Sequence, residues 1–210
     1  MGDVALPKLA VAICPGFHPA ALTDGWVRSL PPFTQPHIAT ALPIDAIAIF
    51  NWLIQTFGSP STATKDSQPT KVSKAPLIAI GFSAGVVGLT GALYLWQQQG
   101  GKVAQFFAVD GWGTPIIGLP VCRLSHDSFT HWSSLPLGAG KVNFYADPGV
   151  DHLQLWGSPA AVMGQKVISQ QGSGWLDLRP TVQSQPITAA DFVSQQLQLE
   201  QAKLTPKSWS

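Results

Sequence analysis

Leu77-Ile78-Ala79-Ile80-Gly81-Phe82-Ser83-Ala84-Gly85 is an apolar run that stops at a Gly-x-Ser-x-Gly turn. Pro76 opens it, and Val86, Val87, Leu89, Leu93 and Leu95 follow in helix-length sequence that ends at Gly100-Gly101. The order is strand, elbow, helix. A serine hydroxyl becomes an attacking group only if it stands clear of the backbone beside a base. A strand-to-helix turn tight enough to expose it leaves no room for side chains on either flank, which Gly81 and Gly85 satisfy. The helix also points its free N–H groups at the reaction site, so the Ala84 amide is placed to stabilise a developing oxyanion. The five-residue pattern is a weak signal alone, because a glycine-rich strand–helix junction without chemistry has the same letters; the flanking sequence gives it weight.

Outward from the elbow, short apolar runs alternate with helix-length patterns. Residues 9–13 read as a buried strand entering the tight loop Cys14-Pro15-Gly16-Phe17-His18-Pro19, residues 103–109 as a strand ending at Asp110-Gly111-Trp112-Gly113, and residues 142–146 as a strand ending at Asp147-Pro148-Gly149-Val150-Asp151-His152. A second strand is expected over 37–42. Helices are expected over 20–30, 44–57, 158–169 and 187–203, the last opened by Thr188 with Asp191 three positions on. The 44–57 helix is apolar enough to require cover on much of its circumference and too short to span a membrane. This alternation argues for an α/β fold, a three-layer α/β/α sandwich with a mostly parallel sheet of about five or six strands. Residues 58–75 read as a flexible loop, 111–140 as a lid or cap segment because no period survives there, and 171–186 as a loop.

Composition narrows the function. The 210 residues suit one domain, 1–210. With 11% charged residues and a formal net charge of +1, no basic field for nucleic acid exists. Cys14 and Cys122 are too few for a disulfide framework, and no apolar run approaches membrane-spanning length, so a cytoplasmic protein is expected. Eight tryptophans fit either a large aromatic core or an apolar site. A glycine-rich phosphate site is disfavoured by the missing Walker lysine and Gly-x-Gly-x-x-Gly spacing.

On the elbow and its two flanking segments the chain resembles the α/β-hydrolase superfamily, in particular its small lipase-like, cutinase-like and thioesterase-like members, in a trimmed form. The resemblance implies a second oxyanion donor in the loop after the first strand, the Phe17 amide. It also implies the chain order serine, acid, histidine, on loops at the carboxyl ends of strands. After Ser83 stand His126, His131 and His152. His152 follows the last clear strand and leads into helix-like sequence, as in cutinase-like relatives, and is favoured as base; one of His126 and His131 is held in reserve. His126 and His131 lack metal-site spacing and companions, so neither metal nor cofactor is expected. Asp110 and Asp147 both end strands and both are candidates for the acid. Asp110 stands slightly ahead because Asp147 lies only five residues before His152, and Asp151 is the least suited.

The function this implies is a serine hydrolase cleaving a carboxylic ester or thioester through an acyl-enzyme on Ser83, with a small-molecule acyl substrate. Trp112, Phe129, Trp132 and Trp156 are candidate walls for an apolar acyl group. The alternatives are a non-catalytic scaffold that keeps the fold, and an acyltransferase using the same acyl-enzyme.

Overall fold

The structure, a computed structural model, describes residues 8–60, 76–170 and 181–204. Eight strands form one sheet in the order β2-β1-β3-β4-β5-β6-β7-β8. They are β1 (Leu9–Cys14), β2 (Thr34–Ile38), β3 (Leu77–Phe82), β4 (Val103–Val109), β5 (Val121–Ser125), β6 (Val142–Ala146), β7 (Met163–Gln170) and β8 (Thr181–Thr188). The first six are parallel, β7 runs antiparallel to β6, and β8 runs antiparallel to β7 and so in the direction of the first six.

Side chains alternate across the central strands with the two-residue period of a pleat. Val11, Ile13, Ile78, Ile80, Phe82, Phe107 and Val109 join one buried cluster, and Ala12, Cys14, Leu77, Ala79, Phe106 and Ala108 join the other. Helices α2 (Ala46–Phe57) and α3 (Ala84–Gln98) cover the second face through Ile49, Leu53, Leu89, Leu93 and Trp96. The first face is covered by α1 (Ala20–Ser29), α5 (His152–Gly157) and α6 (Ala189–Leu204), through Trp26, Trp156 and Phe192. A short helix, α4 (Ser128–Ser134), follows β5. This is the expected three-layer α/β/α sandwich with a mostly parallel sheet.

The sheet is larger than the five or six strands expected. β5 lies inside the segment read as a lid: all five residues of Val-Cys-Arg-Leu-Ser are buried, including Arg123 and Ser125, so polar letters mask a central strand. Residues 158–169 are not a helix. The helix there is α5, which ends at Gly157, and Met163–Gln170 pairs instead with β6 and β8. The second strand is Thr34–Ile38 rather than 37–42. Of the loop expected at 171–186, residues 171–180 lie outside the described residues and β8 begins at Thr181; of that at 58–75, residues 61–75 lie outside them. The two edge strands each carry a proline, Pro36 and Pro186, as a position needing no ladder donor on its outer side permits. Ile44 and Ile47 are exposed, so α2 and the turn before it are covered over less of their circumference than expected. Asp45 caps α2 by accepting from the Ala48 amide, and Thr188 and Asp191 bond reciprocally at the start of α6.

No described helix is long and apolar enough to cross a membrane. Both cysteines are free and buried, and burial pushes each thiol up to about 12, which keeps it protonated and unreactive.

Candidate active site

β1 lies between β2 and β3, so the chain reverses direction across the sheet there, and a crevice opens at the carboxyl ends of the strands. Ser83 sits at that point, between β3 and α3, with φ of 53°. Asp110, one residue past β4, has φ of 49°. They are the two non-glycine residues with left-handed backbone among those described, a conformation costing on the order of 1–3 kcal/mol each and persisting only where neighbours enforce it. The enforcing bonds are visible. The Ser83 N–H donates to the Val109 carbonyl at 2.9 Å, and the Asp110 N–H donates to the Leu124 carbonyl at 2.8 Å.

The glycines flanking Ser83 are required by close approach. A Cβ on Gly85 would lie 2.2 Å from the Cys14 carbonyl oxygen, and one on Gly81 would meet the Val86 backbone at 3.0 Å. The loop after β1 is pressed on the elbow from the other side, since a Cβ on Gly16 would lie 3.1 Å from the Ser83 Cβ. That contact sets Gly16, the residue before Phe17, against the serine. Ala84 is the first residue of α3, where a backbone N–H has no acceptor within its helix.

His152 opens α5, capped by Asp151, whose carboxylate accepts from the Leu153 amide. Its Nδ1 lies 2.9 Å from Asp110 Oδ2. Its ring stacks on Phe82 at 4.7 Å; Phe82 stacks on Trp156 at 4.8 Å, and Trp156 on Trp26 at 4.4 Å. This aromatic column holds the imidazole against the residue preceding Ser83. Trp156 is therefore fully buried support rather than a substrate wall. His18, in the loop after β1, packs edge-on to Phe82 in the same group.

The Asp110 carboxylate is shared. Its Oδ1 accepts the His126 backbone N–H at 2.8 Å, and the His126 Nδ1 approaches the same oxygen at 3.1 Å. That second approach is not aligned as a hydrogen bond, which leaves the buried His126 Nδ1 without a hydrogen-bond partner. The Asp110 contact raises the His126 pKa above its ordinary value, burial opposes it, and the charges of Asp127 and Asp151 add to the rise.

Ser83, Asp110, Trp112, His126, Phe129, Thr130 and His152 line one cavity of about 420 Å³. Asp147 is not among them. It is exposed at the end of β6, and its carboxylate accepts only a long 3.4 Å contact from Gln165. His131 is buried elsewhere, stacked on Tyr145 with Trp132 against its edge. From the segment expected as a lid, Trp112 and the start of α4 (Phe129, Thr130) reach the cavity.

Two features were not read from the sequence: Phe82 as a platform for His152, and Arg123. The buried Arg123 guanidinium donates to the carbonyls of Gly138 at 2.6 Å, Thr114 at 2.8 Å, Leu137 at 3.2 Å and Gly111 at 3.4 Å. It fastens the loop that carries Trp112. An apolar letter pattern contains no signal for a buried arginine satisfied by carbonyls.

Asp110, His126 and His152 form the one group of potential metal ligands among the described residues, with donor atoms within 4.8 Å of one another. Both Nδ1 atoms are turned onto the carboxylate oxygens, at 2.9 and 3.1 Å, so a metal would have to displace those contacts. The donor set fits an imidazole–carboxylate cluster better than a metal centre.

The chain matches no protein-family model and no curated protein. Among solved structures it is similar to the NocB thioesterase domain, described in covalent complex with a fluorophosphonate nocardicin G analog. The identity is 14% and the TM-score 0.48, over 72% of this chain and 88% of that one.

Proposed function

We propose that the protein is a serine hydrolase that cleaves a carboxylic ester or thioester through an acyl-enzyme on Ser83. The observation that carries this reading is the placement of His152, bonded through Nδ1 to the buried Asp110 and stacked on the residue that precedes Ser83. With Nδ1 occupied, Nε2 is the nitrogen free to take the serine proton. The His126 ring has no such role, because its Nε2 faces Asp127 at 3.5 Å.

In this reading Ser83 Oγ attacks the acyl carbon and its proton passes to His152 Nε2. The carbonyl oxygen gains charge opposite the Phe17 and Ala84 amides, and Asp110 stabilises the imidazolium. The tetrahedral species collapses as His152 protonates the departing alcohol or thiol. Water, deprotonated by the same histidine, then attacks the acyl-enzyme and releases the acid with Ser83 restored. Trp112 and Phe129 supply apolar walls for the acyl group.

The test is turnover of a graded series of p-nitrophenyl esters and matching acyl thioesters by the wild type and Ser83→Ala. The reading expects turnover lost by at least about 10³-fold in the variant. No turnover by the folded wild type on any member would move the protein to the non-catalytic scaffold class.

A further inference from the structure

The site holds a second imidazole that the reaction above does not use. His126 lines the same cavity, its ring lies 5.9 Å from that of His152 in a T-shaped arrangement, and the two nitrogens face opposite oxygens of one carboxylate. That carboxylate is nearly inaccessible to water, its side chain 2% exposed, so solvent screens little of its charge. We propose that His126 is a positioning residue acting through Asp110: its ring lies 3.1 Å from one oxygen of the carboxylate, so each proton it takes up draws on the negative charge that His152 uses at the other oxygen, and this competition sets how basic His152 is.

The proposal rests on the serine hydrolase reading only for its consequence; the competition itself is a property of the folded protein. One carboxylate between two imidazoles cannot neutralise two imidazolium ions as well as one, so the pair titrates as a coupled unit. The charged and titratable groups around His126 all come from this corner. They are Asp110 after β4, Asp127 at the start of α4, and Asp151 and His152 at the start of α5. The three acids favour a proton on His126; His152, once charged, opposes it. The Val150 amide donates to the His126 carbonyl at 2.9 Å, which ties the two histidine loops together and fixes the ring separation.

Removing the His126 ring need not release Asp110, because the bond at 2.8 Å to Oδ1 comes from the backbone N–H of residue 126. His126→Asn therefore isolates the competition. With the competitor gone, the whole carboxylate serves His152, and the midpoint for protonating His152 moves to higher pH by about one unit, a tenfold change in proton affinity. Asp127→Asn keeps a residue that can cap α4 while weakening the hold of His126 on its proton, and shifts the midpoint in the same direction by less.

The experiment is NMR titration of histidine-labelled protein between pH 4.5 and 9, with the five ring resonances assigned by single substitution. It reads the midpoint of His152 without turnover, so it stands even if Ser83 proves inert, while loss of labelling at Ser83 would leave it intact. An upward shift in His126→Asn with a smaller one in Asp127→Asn supports the proposal. A His152 midpoint that is unmoved or lowered in folded His126→Asn overturns it, and an unmoved midpoint in Asp127→Asn alone removes Asp127 from the account. The acid limb of kcat/KM should move with the His152 midpoint; a purely structural ring would lower the rate without moving the limb.

Discussion

Gly85→Ala separates the elbow's geometry from its fold. The new Cβ would stand 2.2 Å from the Cys14 carbonyl oxygen and 2.7 Å from that of Pro15, roughly 1 Å short of ordinary contact. Both obstacles are backbone, so neither can swing aside, and the loop that in the proposed mechanism presents the Phe17 amide must move away from Ser83. Overpacking of this kind costs about 1–3 kcal/mol, against which alanine's better helix propensity returns about 1 kcal/mol, so a net loss of no more than about 2 kcal/mol is expected. The larger effect falls on catalysis: an oxyanion donor displaced by about 1 Å lowers kcat by about 10²-fold. The assay is ester hydrolysis well below the melting temperature, compared with Gly91→Ala. There the added Cβ meets the Ala46 side chain at 2.7 Å, on the same helix but away from the loop. Gly91→Ala should lose stability and keep kcat. Gly85→Ala with wild-type kcat would refute the claim that the 14–17 loop carries part of the oxyanion site.

Three further outcomes follow from the same geometry. Asp110→Asn should lower kcat/KM for ester hydrolysis by about 10⁴-fold, whereas Asp147→Asn, altering an exposed carboxylate with one weak contact, should change it less than about twofold. Arg123→Met leaves four carbonyls without their donor and should cost about 3 kcal/mol, lowering Tm by about 8 °C in a calorimetric scan; an unchanged Tm would remove the arginine clamp from the account. His131 is fully buried with both ring nitrogens unpartnered, and burial pushes its pKa down to about 4, below the ordinary 6.5. The unfolded chain therefore takes up the proton first, and the stability held above pH 6.5 is lost as pH falls towards 4. His131→Phe removes that loss, so in urea titrations its stability relative to wild type should rise by about 2.5 kcal/mol between pH 7.5 and 4.5; a constant difference would contradict it.

The centre of the fold was legible because its strands are largely buried on both faces and read as apolar runs, broken only by Gln105: Leu9–Cys14, Leu77–Phe82 and Val103–Val109. The elbow was legible for a different reason, since backbone crowding around Ser83 demands glycine at fixed spacing. What failed lies where tertiary context overrides letters. β5 hides a buried serine and an arginine that is satisfied by neighbouring carbonyls rather than by water. β7 buries little beyond Gly164 and Val167, so its alternation is faint, and a helix was read across it. Asp110 and Asp147 could not be ranked firmly from spacing, because both end strands; the His126 amide and the His152 ring single out Asp110 only in three dimensions. Phe82 occupies a position that the elbow pattern leaves free, so no motif marks it as the platform for His152.

The most direct test of the central claim is labelling of the purified protein with a fluorophosphonate, read by intact mass and by mapping the modified peptide. The account predicts one adduct, on Ser83, absent in Ser83→Ala and His152→Ala, strongly slowed in Asp110→Asn and retained in Asp147→Asn. No adduct on the folded wild type, or an adduct that survives Ser83→Ala, would contradict it.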